Sequence, residues 1–195
     1  MEKVRAFIAL EMPDEIRRAL DEISMNLRKE LSAARLRWVP VENMHLTLKF
    51  IGDIAVDKVP SIIEILKTQS APFAPFDLSV DGLGAFPNLQ RARVIWVGVN
   101  AARPLYDFQR DIESSLADLG FTPESRAFSP HLTLARLRGH ARSADLDRIR
   151  GVLAATPKPS PTKGIADKIT LFSSELKPSG SVYNALSRFL LSGQD

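Results

Sequence analysis

His45-Leu46-Thr47-Leu48 and His131-Leu132-Thr133-Leu134 are one tetrad met twice in a single chain. At average residue usage a given histidine is followed by Leu-Thr-Leu roughly once in a thousand times, and this chain has only three histidines. Side chains alternate faces along a strand. Each tetrad therefore sets an imidazole and a hydroxyl on one face and two leucines, suited to a core, on the other.

Outward from the tetrads the chain repeats a plan. Val4 to Leu10 reads as a strand, and a helix begins at Met12-Pro13-Asp14 with Ile16, Leu20, Ile23, Leu27 and Leu31 at helical spacing. After Arg35-Leu36-Arg37-Trp38 comes the strand Met44 to Ile51, a helix striped by Val59, Ile62, Ile63 and Leu66, and a strand from Phe76 to Val80. Beyond Phe86-Pro87-Asn88 the second half follows suit. It has a strand from Arg91 to Val99, then a helix with Pro104 near its start, Leu105, Phe108, Ile112, Leu116 and Leu119 as its stripe, and Gly120 as its C-cap. A strand from His131 to Leu137 and a helix carrying Leu146, Ile149 and Leu153 come next. After a loose stretch from Thr156 to Gly164, Ile165 to Leu176 and Val182 to Leu190 read as a terminal hairpin turning at Lys177-Pro178-Ser179-Gly180. The histidines lie 86 residues apart and the first strands of the halves 87. We expect one domain over 1–195, with two related lobes, roughly 1–90 and 91–195, whose terminal segments can interchange. Each lobe presents its histidine strand to a shared cleft.

The 195 residues carry 45% hydrophobic and 25% charged side chains, ordinary for a globular chain long enough to bury a sizeable core. There is no cysteine, so disulfides, thiolate nucleophiles and zinc–sulfur sites are excluded. No run approaches a membrane helix and no signal-peptide pattern is present, so a cytoplasmic location is expected. The net charge is +3, and 17 of the 26 basic residues are Arg, whose planar fork suits phosphate. A solvated basic surface explains the same charge.

Two imidazoles facing one cleft can serve as base and acid, since a pKa near 6.5 lets one be neutral and the other charged around pH 7. Hydroxyls and cations beside them suit the non-bridging oxygens of a phosphate. Zinc needs three or four protein ligands, and no His-x-His, His-x-x-x-His or Cys cluster supplies them. No G-x-x-x-x-G-K-[ST] loop is present, so any ligation would run without ATP, as cleavage reversed. No cofactor or metal is expected.

Arg37-Trp38-Val39, Glu42 through Gly52, and Pro130-His131-Leu132-Thr133-Leu134-Ala135-Arg136 resemble the signature stretches of the 2H phosphoesterase superfamily, with Gly84-Ala85-Phe86-Pro87-Asn88 a weaker match. More narrowly the chain is similar to the RNA 2′,3′-cyclic phosphodiesterases, also called 2′-5′ RNA ligases. The resemblance implies a bilobal α+β fold in which two antiparallel sheets line a central cleft, with helices outside. It implies hydrolysis of a 2′,3′-cyclic phosphate at an RNA end to a 2′-phosphate, with His131 as general base, His45 as general acid, and Thr47, Thr133 and Arg136 on the phosphate. The competing class is an RNA-end-binding module of the same fold without turnover. A monomer acting on RNA, away from membranes, is expected.

Some residues keep two readings. Arg136 is five residues beyond His131, so in a regular strand it would face away from the cleft; either the strand bends or ends there, or Arg136 is structural. Lys49, four residues after His45, should share its face and add charge at the cleft, or sit on a solvated rim. Arg35, Arg37 and Trp38 suit RNA by charge and stacking, with core packing the rival reading for Trp38 and also for Phe128. His140 has no Thr two residues on and reads as merely exposed.

Overall fold

Leu46, Leu48, Leu132 and Leu134 are all buried, none more than 3% exposed, in a computed structural model that describes residues 2–158, 160–177 and 180–193. Their strands belong to two antiparallel sheets. β1 (Lys3–Glu11) is flanked by β3 (His45–Ala55) and β8 (Lys168–Lys177), and β9 (Gly180–Leu190) completes the order β3-β1-β8-β9. The second sheet runs β2-β6-β5-β4-β7, from β2 (Leu36–Trp38), β6 (His131–Leu137), β5 (Val94–Ala101), β4 (Phe76–Phe86) and β7 (Thr162–Ala166).

The halves exchange strands. β4 belongs to the first half by sequence but pairs with β5, while β8 belongs to the second half and pairs with β1. Each sheet is thus built from both halves, and β3-β1-β8 matches β6-β5-β4. The single expected strand from Ile165 to Leu176 is two strands. β7 pairs with β4 in one sheet and β8 with β1 in the other, with Asp167 between them. Asp167-Lys168 interrupts the apolar run at the point where the chain passes from one sheet to the other. The terminal hairpin of β8 and β9 is present, and Pro178 and Ser179 of its expected turn lie outside the described residues.

Four helices close the core: α1 (Asp14–Glu30), α2 (Val59–Ser70), α3 (Arg103–Asp118) and α4 (Ser143–Ala155). Leu105, Phe108, Ile112 and Leu116 form the buried stripe of α3. Its chain leaves through Gly120 at φ 88°, a left-handed turn that glycine adopts without Cβ strain. Among the described residues no helix is long and apolar enough to cross a membrane.

Both histidine strands carry a bulge at the last residue of the tetrad. The pairing skips Leu48 between Ile8 and Ala9 of β1, and skips Leu134 between Ile95 and Trp96 of β5. An extra residue in one strand shifts which side chains face which way. Hence Lys49 and Ala135 are buried beside their leucines, while Phe50 and Arg136 are exposed.

Lys49 lines the same cavity as Thr47, but as a buried, paired cation and not on a solvated rim. It is 5% exposed, and its Nζ ion-pairs with Glu113 Oε2 at 2.6 Å and donates to the Thr122 carbonyl at 2.8 Å. Glu113 Oε2 also accepts from the Glu124 backbone N–H at 3.3 Å. This ion pair ties β3 to α3 and to the segment leading into β6. Removing one partner of a buried pair leaves the other uncompensated and costs about 3 kcal/mol or more. In urea denaturation Lys49→Met should therefore lose at least about 3 kcal/mol, and adding Glu113→Leu should recover most of it. A Lys49→Met variant of unchanged stability would show that the pair carries no such weight.

Candidate active site

β3 and β6 lie against each other where the two sheets meet. Thr47 and Phe50 of β3 line a cavity of about 920 Å³ together with His131, Thr133 and Arg136 of β6. Phe86, Arg93 and Phe128 border it as well. His45 is two residues before Thr47 on the same strand face and borders a second cavity of about 270 Å³, with Glu11, Asn43, Tyr183 and Arg188.

His131 Nδ1 lies 2.7 Å from the Ser129 carbonyl. A carbonyl oxygen can only accept, so Nδ1 carries the hydrogen and, in the neutral ring, Nε2 is left as a free acceptor. The ring stands edge-on to Phe86 at 4.7 Å between centroids, with Trp96 at 6.4 Å. Trp96 itself packs over Gly84, where a Cβ would come within 2.3 Å of the indole. Only a residue without a side chain lets the indole settle beside His131.

His45 uses the same device, a hydrogen bond to the backbone of the residue two positions earlier, here Asn43. Its surroundings differ. Phe7 of β1 stacks on its ring at 4.7 Å, Phe172 of β8 lies at 5.7 Å, and Tyr183 of β9 meets it edge-on at 5.1 Å. Burial among these rings disfavours the charged imidazole and lowers its pKa from 6.5 to about 4, against the bond to Asn43 and the charge of Glu11. Glu11 is the register partner of His45 across β1 and β3. Burial opposes its charge too, but Thr170 and Arg188 both donate to Oε1, Arg188 at 2.8 Å, and hold its carboxyl below the usual range.

The bulge settles the orientation of Arg136. Five residues beyond His131 it nevertheless lines the cavity of His131 and Thr133. Phe50 holds the equivalent place after His45. It is 53% exposed, with the Arg5 guanidinium 5.0 Å from its centroid on one side. Arg37 is exposed and directly opposite Arg136 in the pairing of β2 with β6. Phe128 meets Tyr106 edge-on at 5.9 Å. Trp38 packs against the core with the Arg28 guanidinium over its ring. Arg35 is turned onto Asp145 at 3.1 Å and onto the backbone of the exposed His140.

Sequence reasoning missed the aromatic surround of His45 and the two carbonyls that orient the imidazoles. Phe172 and Tyr183 lie more than a hundred residues from His45, and a backbone carbonyl has no residue identity to read. The exposed Phe50 had a signal, being the residue that matches Arg136 when the tetrads are aligned.

Two antiparallel sheets, each carrying a His and a Thr from the same tetrad on strands that lie against each other, have the build of a phosphoesterase of the two-histidine type. The family profile described as LigT like phosphoesterase matches residues 10–96 and again 97–183, and the chain belongs to that family. It is 33% identical over 189 residues to the RNA 2′,3′-cyclic phosphodiesterase of Methanothermobacter thermautotrophicus, covering 97% of this chain and all of that one. To the enzyme of the same name from Aquifex aeolicus it is 30% identical over 196 residues, 99% of this chain and all of the relative. Among solved structures it resembles TT0787 of Thermus thermophilus (TM-score 0.83, 27% identity, 98% of this chain and 100% of that one). It also resembles Escherichia coli LigT complexed with 3′-AMP (TM-score 0.77, 26% identity, 97% and 99% covered).

A histidine neutral in the fold but free to protonate when unfolded makes stability pH-dependent. Between pH 6.5 and about 4 the unfolded chain holds the extra proton at His45, so its contribution is complete above 6.5 and is lost as pH falls toward 4. Urea denaturation should show His45→Asn losing less stability than the parent chain between pH 7 and 4. Parallel curves would mean that His45 is not held neutral.

Proposed function

We propose that this phosphoesterase hydrolyses the 2′,3′-cyclic phosphodiester at an RNA end to a 2′-phosphomonoester. The observation that carries the reading is the pair of like-built strands lying against each other, with the His131 Nδ1 held by Ser129 so that Nε2 accepts. His131 Nε2 takes a proton from water as the water oxygen bonds to phosphorus. The bond from phosphorus to O3′ breaks, and His45 gives its proton to O3′. The product carries a 2′-phosphate and a free 3′-hydroxyl. Thr47, Thr133 and Arg136 hold the non-bridging oxygens, where donors aimed at developing charge are most effective. Arg37 and Phe128, at the cleft edge and wall, contact the RNA. With the 5′-hydroxyl of a second RNA in place of water, the same steps in the same direction join RNA ends through a 2′-5′ linkage without ATP.

His45 can act as acid only once it is charged, and before substrate binds, burial keeps its pKa at about 4. A phosphodiester anion beside the ring favours the imidazolium, so substrate binding draws in the proton that catalysis then delivers. Calorimetry in buffers of different ionisation enthalpy tests this with a 2′,3′-cyclic nucleotide and the His131→Ala variant, which should bind without turning it over. Near pH 5 binding should take up a substantial fraction of a proton, and the uptake should fall as pH rises toward 7. Binding without proton uptake would remove His45 as the acid.

A positioned acid or base is worth about 10²–10⁴-fold. His45→Ala and His131→Ala should each lower kcat by at least about a hundredfold, and the double variant should lose little more than the worse single one, because the pair acts as a unit. Either single variant keeping more than about a tenth of the parent rate would contradict the mechanism.

A further inference from the structure

Most arginines of this chain are matched with acids, as Arg17 is with Asp14, Arg110 with Asp107, Arg142 with Asp145 and Arg188 with Glu11. At one edge of the cleft the matching stops. Arg93, Arg136 and Arg138 are exposed, and no carboxylate among the described residues lies within ion-pair reach of them. Arg136 stands opposite Arg37 across β2 and β6. Arg138 continues that edge, its backbone N–H bonded to the Arg35 carbonyl at 2.8 Å. Arg93 closes the corner from the β5 side. Its Nη1 donates to the Gly139 carbonyl at 2.7 Å, which anchors the guanidinium beside the end of β6 and leaves its other N–H groups for a ligand. The far wall differs: Lys49 is neutralised by Glu113, and Arg126 by Glu124.

We infer that this arginine edge binds the phosphodiester backbone of the single RNA strand leading up to the cyclic end, so that the favoured substrate is an oligonucleotide and not a cyclic mononucleotide. The inference rests on the reading under Proposed function and adds the path the strand takes, out of the cleft past Arg136 and along Arg37, Arg93 and Arg138. Three arguments support it. Arg93, Arg136 and Arg138 gather positive charge with no carboxylate within ion-pair reach among the described residues, and backbone phosphates supply the counter-charge. Guanidinium forks match phosphate oxygens two at a time. The edge is continuous with the cavity that holds His131 and Thr133, since Arg93 and Arg136 line both.

The test compares kcat/KM for a 2′,3′-cyclic mononucleotide and for an RNA of about ten nucleotides with the same end, between about 50 and 200 mM salt. It uses the parent chain and the Arg93→Ala/Arg138→Ala double variant, whose melting temperature should match the parent's because both residues are exposed. At low salt the parent should favour the oligonucleotide by at least about tenfold, with a log–log salt slope steeper by about 1.4, the value for two further phosphates on a single strand. In the variant both the preference and the extra slope should collapse toward the mononucleotide's values. Equal kcat/KM and equal slopes for the two substrates, or a variant that keeps the full preference, would overturn the inference while leaving the proposed activity standing. If neither substrate is turned over, the proposed activity itself fails, and the inference with it.

Discussion

Burial of two leucines decides where the chemistry sits. A strand that sends Leu46 and Leu48 into the core sends His45 and Thr47 to its other face, and Leu132 and Leu134 impose the same on His131 and Thr133. Because the halves exchange β4 and β8, neither sheet forms from one half alone, and β3 and β6 come together where the exchanged sheets meet. The bulge at the end of each tetrad is the second device. By turning the next residue but one back toward the cleft, it places Arg136 and Phe50 on the wall of the cavity that His131 lines.

From that shared frame the histidines diverge. Both are oriented by the backbone two residues upstream. His131 lies beside the wide cavity near Arg93 and Arg136, whereas His45 is packed by Phe7, Phe172 and Tyr183, which make its charged form costly until substrate arrives. An imidazole that gains its proton with the substrate suits a donor, and one whose tautomer leaves Nε2 open suits an acceptor. A repeat with two like strands thus holds its two histidines in unlike surroundings through the side chains that neighbouring strands contribute, which suits the unlike roles proposed for them.

Much of this was legible in the residues. The tetrads, the helix stripe from Leu105 to Leu116, the turn at Gly120 and the repeat interval all rest on local periodicity or a local backbone demand. What was not legible depends on pairing. Counting alternation from His131 turns Arg136 away from the cleft, and the bulge brings it back; Lys49 does line the cavity, but buried and paired with Glu113, and a skipped partner leaves no mark in the sequence. The split of Ile165 to Leu176 into two strands, and the placing of Arg37 opposite Arg136, likewise follow from which strands meet. The aromatic surround of His45 needs β1, β8 and β9 side by side, and only the fold supplies that.

The central claim is the division of labour between the histidines, and a substrate with sulfur in place of O3′ tests it most directly. A thiolate, whose conjugate acid has a pKa near 8.5, leaves without a proton donor, whereas an alkoxide does not. On the sulfur-bridged cyclic substrate His45→Ala should turn over at close to the parent rate, while His131→Ala should stay slow, because water must still be deprotonated. Rescue of His131→Ala in place of His45→Ala, or of neither variant, would contradict the assignment of acid and base.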